Sequence, residues 1–349
     1  MTTSLAELDG DPHSAYARLR AREPVSWLPE AGQWLVTGWR DALVVLSDPA
    51  RFANEHADIH AVFRRAYEPG LKPDEVDTIA RPIARKAADD VFADGAVDLT
   101  AEYFEPVAAV AGATLLGLGY SCAEVLLRWG TTLALDVNAG VETDAADDAA
   151  VIVERLRRRP DDSLVARLVH ADMDPVPLLK HLAVSVLEPA WLAAWTLMAL
   201  WADRTQFAAV REHRHLLGAA VYEALRWGGP LGTLTRRTTC AVSLGGKDIP
   251  AGASLAVAVT SANRDETVFP RPDRFDVHRA LRPHLGFGVG PHHCPAHPMV
   301  TSLARTTLDV LFDRMPDLAP APGWQPAPHG WRLRLPGPLD AVWTRQRFS

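Results

Sequence analysis

The stretch from His181 to Ala202 is the most apolar in the chain, and something must shield it from water. It is long enough to cross a bilayer. Glu188 and Pro189 interrupt it near its centre, however, where a charge is costly in lipid. A helix apolar on most sides is otherwise the central helix of a large core. A chain of 349 residues, 48% of them apolar, can build such a core. The segment from Met1 to Arg20 is polar and amphipathic, without an apolar signal core. The expectation is a cytoplasmic protein with no membrane association. A net charge of −7 and no dominant basic block argue against nucleic acid as a partner. The three cysteines, Cys122, Cys240 and Cys294, are too sparse for a secreted disulfide framework.

Periodicity around this helix is mostly helical. Asp11 to Glu23 has helical spacing, and Val25 to Thr37 reads as a β-hairpin turning at Pro29 to Gly32. Asp41 to Ser47 returns to helix and stops at Asp48-Pro49. From Pro73 to Leu225 the pattern is almost wholly helical, with breaks near Gly95, Gly117 to Gly119, Gly140, Pro160 and Pro175 to Pro177. After Arg226 the character changes. Val242 to Gly252 is a short hairpin pattern with a Gly-Gly turn. Leu255 to Val259 and Trp331 to Leu335 look like strands, Phe269 to Pro283 like an ordered meander, and Pro298 to Arg314 like a helix. There is no internal repeat or low-complexity linker. The reading is one domain over residues 1–349, mainly α with a small β-rich lobe.

The segment richest in chemistry is Phe287-Gly-Val-Gly-Pro-His-His-Cys-Pro-Ala296. Gly288 and Gly290 permit backbone angles that other residues resist, so the loop can curl tightly. A curled loop can aim amides at a thiolate, and a helix beginning near Pro298 places its N-terminus close to Cys294. A lone cysteine in a glycine turn would read as a buried core residue, but here the whole loop fits a ligand role. It resembles the heme-binding loop of cytochromes P450, Phe-Gly-x-Gly-x-His/Arg-x-Cys-x-Gly, with Phe287, Gly288, Gly290, His292 and Cys294 in place. Ala296 stands where the family usually has glycine, and Pro295 is a less usual neighbour. The resemblance implies the cytochrome P450 fold, heme b (iron protoporphyrin IX) as cofactor and Cys294 as the axial ligand of the heme iron. His292, His293, Cys294 and His297 as a zinc cluster is the weaker reading, since adjacent side chains in a tight loop rarely converge on one tetrahedral ion.

Glu223 and Arg226 lie three apart on one helix face and alone would read as an ordinary surface pair. At this distance before the cysteine loop they resemble the family's Glu-x-x-Arg. The family's further arginine in a Pro-x-Arg-Phe stretch then falls on Arg274, giving a structural network of Glu223, Arg226 and Arg274. Ser261 to Asp265 also matches the family's wording. For the porphyrin propionates, His60 and Arg64 match the family's His-x-x-x-Arg. Arg236, or its neighbour Arg237, has the spacing of the propionate arginine, and His292 completes the set.

Two departures bear on function. The segment after Phe52 reaches His60 without the long loop and short helix usual in the family, which predicts a more open pocket or one closed by another element or partner. Counted back from Glu223, the family's distal acid–alcohol pair falls on Leu187 and Glu188, followed by Pro189. The usual pair is therefore missing, and Glu188 is the candidate acid–base residue, near the open side of the iron. Trp191 and Trp195 share its helix face and read foremost as core packing. The resemblance implies a monooxygenase-type oxidoreductase acting on a small organic molecule in bacterial specialised metabolism. Its electrons would come from a ferredoxin and ferredoxin reductase. The missing pair leaves open a peroxide-driven enzyme or a catalyst of cyclisation, dehydration or isomerisation. A heme-free scaffolding domain is disfavoured by the retained Cys294.

Overall fold

The computed structural model describes residues 3–67, 71–141, 149–150, 152–154 and 174–344. Helices α1 (Leu5–Asp9) and α2 (His13–Arg22) precede the hairpin of β1 (Val25–Leu28) and β2 (Gln33–Val36). Next come α3 (Trp39–Ser47), β3 (Phe52–Ala53), α4 (Ala57–Tyr67), α5 (Pro73–Phe92), β4 (Ala96–Asp98), α6 (Glu105–Leu116) and α7 (Ala123–Ala139). Helices α8 (Pro175–Ala202), α9 (Arg204–Glu212) and α10 (Leu217–Trp227) lead to β5 (Thr233–Thr238), β6 (Val242–Leu244), β7 (Lys247–Ile249) and β8 (Ser254–Ala258). The chain finishes with α11 (Val259–Ala262), an irregular stretch, α12 (His297–Arg314), β9 (Ala319–Pro320) and β10 (Asp340–Val342). Two compact units result. The first comprises Met1–His60, Glu223–Cys294 and Pro328–Leu335; the second comprises Ala61–Tyr222, Pro295–Ala327 and Pro336–Ser349.

The first unit is built on a five-stranded sheet in the order β1-β2-β8-β5-β3. Side chains alternate across it, as strand geometry demands. Val36, Leu255 and Val257 join one buried cluster with Val45, Leu46 and Leu285. Leu35, Ala256 and Ala258 face the other way, onto Leu8, Tyr16 and Leu19 of the first two helices. Helix α3 starts two residues before the expected Asp41 because the Asp265 carboxylate accepts the Trp39 N–H at 2.8 Å, supplying a distant cap. Strand β5 was not expected, since its Thr-Leu-Thr-Arg-Arg-Thr run has a single aliphatic residue. It forms because it lies between β8 and β3 and completes their ladders. Trp331 to Leu335 makes only isolated bridges, Leu231 with Leu333 and His329 with Leu335, rather than the expected strand.

The second unit is organised around α8, whose face is covered by α6, α7 and α12, with α5 packed along α12. Helix α7 comes close to α8 at Gly130, where a Cβ would stand 2.3 Å from the Ala183 carbonyl oxygen. Only glycine fits there. Residues Val176–Ala202 are long and apolar enough to cross a membrane, but 83% of the most apolar window is buried within the protein. The sequence-based expectation of a core helix holds. Helix α8 runs through Pro189 without ending. The strand β4 interrupts the expected helical run because it pairs with β10 from the far end of the chain. The break expected at Pro160 lies outside the described residues.

Candidate heme-thiolate site

The loop of Cys294 is closed by its own backbone. The Gly288 N–H donates to the Leu285 carbonyl (2.9 Å), His293 N–H to Gly290 (3.1 Å) and Cys294 N–H to Phe287 (2.9 Å). The buried Asn263 carboxamide anchors the loop's start by accepting from the Leu285 N–H at 2.7 Å. Gly288 and Gly290 have φ of +68° and +72°, and a Cβ on Gly290 would meet the Leu46 carbonyl at 3.0 Å. This is the curl that the glycines imply. Phe287 is half-buried, its ring 6.4 Å from that of His293. Cys294 is partly buried and takes part in no disulfide. Among the described residues no three His, Cys, Asp or Glu side chains converge as metal ligands. A single thiol is what a porphyrin-held iron requires of the protein.

The cationic groups around this loop fit the same cofactor. His60 on α4 and His292 in the loop meet edge to face, with ring centroids 5.0 Å apart, although 232 positions separate them in the chain. Strand alternation decides between the two neighbouring arginines. Arg237 points outward and pairs with Glu55, its side chain 48% exposed. Arg236 points inward and is 4% exposed. Its single hydrogen bond among the described residues goes to the carbonyl of Thr235 (2.7 Å), with no carboxylate beside it. Burial alone lowers its pKa to about 10. A desolvated guanidinium without a counterion calls for an anion, and a heme propionate is one. Leu234, on the same face of β5, approaches Gly288 of the cysteine loop. Arg64 lies one turn beyond His60 on α4, with an exposed side chain. The residues present fit a heme held by Cys294.

The expected network is present with one member changed. Arg226 clamps Glu223 through two bonds, Nε to Oε2 at 2.9 Å and Nη2 to Oε1 at 2.7 Å, both side chains being buried. The second guanidinium on Glu223 belongs to Arg279, whose Nε donates to Oε1 at 2.8 Å. Arg274 was the expected partner, but its side chain is exposed. It contributes only its carbonyl, which accepts from Arg226 (3.3 Å) and Arg279 (2.7 Å). The reason is a turn after Phe275. The Asp276 carbonyl accepts the Arg279 N–H at 3.0 Å, which swings Arg279 back toward Glu223. An aspartate followed three residues later by arginine was a signal for this turn. Arg226 and Arg279 also bind the carbonyls of Asn263, Pro270 and Pro272, so two guanidinia staple the meander.

On α8, Trp191 and Trp195 are buried, and the Trp191 Nε1–H donates to Glu105 at 2.9 Å. They are core residues. Glu188 has neither a hydrogen bond nor an ion pair among the described residues. Loss of water raises its pKa from 4.5 to about 7.

One thiol on a glycine-curled loop beside the buried Arg236 is the donor set that a heme-thiolate protein needs. The comparisons agree. The cytochrome P450 family model matches residues 202–311. The mycinamicin IV hydroxylase/epoxidase of Micromonospora griseorubida is 30% identical, over 94% of each chain. The cyclomarin C epoxidase CymV of Salinispora arenicola is 28% identical, over 90% of this chain and 91% of that one. The crystal structure of the hydroxylase HmtN superposes with a TM-score of 0.84 at 23% identity, covering 98% of this chain and all of the other. The chain belongs to the cytochrome P450 family and has its fold. It is a heme-iron oxidoreductase acting on small molecules.

Proposed function

We propose that this protein is a monooxygenase-type tailoring enzyme of bacterial specialised metabolism, working as a single domain in the cytoplasm with heme b as its cofactor. The observation that carries the reading is the Cys294 loop together with the buried Arg236, which has no carboxylate partner among the described residues. Hydroxylases and epoxidases of specialised metabolites among the relatives support the reaction class. Cys294 would ligate the iron, while Arg236, His60, His292 and Arg64 would hold the propionates. A heme bound through thiolate supplies oxidation chemistry in which thiolate donation favours O–O cleavage. A ferredoxin and its reductase would deliver electrons.

The chain's own acid–base chemistry is assigned to Glu188. Its carboxyl sits one residue before the mid-helix Pro189, has no hydrogen-bond or ion-pair partner among the described residues and holds its proton up to about neutral pH. A group poised there can donate a proton at one oxygen and recover it from solvent. Leu187 in place of the usual acid favours, as a second reading, a peroxide-driven or non-oxidative enzyme on the same scaffold.

Three measurements test this. Reduced protein with carbon monoxide should give the red-shifted thiolate Soret band, and its absence from heme-reconstituted protein overturns the proposal. A pyridine hemochrome assay identifies the porphyrin as heme b. Turnover of a candidate small-molecule substrate with a ferredoxin system, set against hydrogen peroxide alone, separates the two readings.

A further inference from the structure

Helix α8 is buried on nearly every side, and the exceptions are ordered. Between Leu182 and Trp201 only Val184, Ser185 and Glu188 are less than fully buried. With the exposed His181 they recur at intervals of three and four, which puts them on one face. That face therefore carries imidazole, hydroxyl and carboxyl groups in line along an otherwise apolar helix. Neighbours at this spacing have Cβ atoms about 6 Å apart, within reach of one another directly or through one water.

The middle and inner groups lack partners among the described residues. Neither the Ser185 hydroxyl nor the Glu188 carboxyl makes a hydrogen bond among the described residues. Pro189 has no N–H, so the Ser185 carbonyl loses the donor that a regular helix would supply. Polar groups left in this way are satisfied by water, which organises along them. His181 at the outer end is exposed to solvent, and its ring packs against Phe63 of α4 with centroids 5.1 Å apart. Lys180, one position earlier, is the neighbouring ionisable side chain on the helix.

We infer that His181, Ser185 and Glu188 form a proton track along α8, carrying protons from solvent at the imidazole to the Glu188 carboxyl. The inference rests on Glu188 acting as the acid–base group. In each transfer the protonated imidazole gives a proton to the Ser185 oxygen, whose own proton passes to a Glu188 carboxylate oxygen, with water bridging any gap. The imidazole ends neutral, the carboxyl ends protonated and solvent restores the ring's proton. No electrons move. His181 and Ser185 are positioning residues, and Glu188 is the proton-holding end.

The test follows the Glu188 carboxyl itself in ferric holoprotein. Its infrared C=O band is identified by its disappearance in Glu188→Gln, and its appearance is timed after a downward pH jump. Ser185→Ala and His181→Gln should each slow protonation at least tenfold while leaving the final band intact. His181→Phe keeps the ring contact with Phe63 but carries no proton, so it should slow the band as His181→Gln does. Because His181 is exposed, these variants should fold, which the thiolate Soret band confirms. Protonation within twofold of the parent in all three overturns the track while leaving Glu188 as an acid–base group. A band that never titrates between pH 5 and 9, or Glu188→Gln with unchanged turnover, overturns the underlying assignment instead.

Discussion

Replacing Arg279 with alanine should destabilise the fold far more than the same change at Arg274, although both lie in one meander. Arg279 gives Glu223 a charge-assisted bond at 2.8 Å, with both side chains mostly buried. A hydrogen bond to a charged group contributes about 1.5–3 kcal/mol. Its other donors bind the carbonyls of Pro270, Arg271 and Arg274, at an end where water can partly replace them. Glu223 keeps Arg226, which limits the loss below that of a fully orphaned buried charge, about 3–5 kcal/mol. The expected cost of Arg279→Ala is therefore about 3 kcal/mol. Arg274→Ala removes an exposed side chain and leaves its carbonyl in place, so it should stay within about 0.5 kcal/mol. Urea unfolding followed by far-ultraviolet circular dichroism measures both, and a cycle with Glu223→Gln isolates the pair. Equal losses at the two arginines, or a larger loss at Arg274, would refute the assignment of Arg279 to the network.

Other expectations follow from the site. Cys294→Ser should fold with the parent's circular dichroism yet lose the red-shifted carbon monoxide band. Arg236→Ala should weaken heme retention at least tenfold in a transfer assay to apomyoglobin, whereas Arg237→Ala, already paired with Glu55, should change it less than twofold. Glu188 binds its proton more tightly folded than unfolded, since its pKa rises from 4.5 to about 7. Its contribution to stability is full below pH 4.5 and is lost as pH climbs through 7, and Glu188→Gln should flatten that part of the stability–pH curve.

The cysteine loop was legible because its chemistry is local. Gly288, Gly290 and Cys294 must lie within a few residues of one another to curl around a sulfur, so the linear order already contains the geometry. The same holds for Glu223 and Arg226, one helical turn apart, and for α8, whose apolar run demanded a core. Arg279 was missed because its identity depends on a turn at Asp276, and the Pro-Asp-Arg-Phe wording pointed to Arg274 instead. The choice of Arg236 over Arg237 required a strand that exists only through pairing with β8 and β3, which no local pattern announces. The pairing of His60 with His292 and the closing of β4 by β10 likewise join segments hundreds of residues apart. The open polar face of α8 became visible only once packing had buried the other faces. Sequence alone thus determined the family, the heme iron it implies and the helix at the core, and it singled out Cys294 as the candidate ligand. Tertiary structure decided which charges are desolvated and which arginine meets which acid, because burial and long-range pairing belong to the folded chain as a whole.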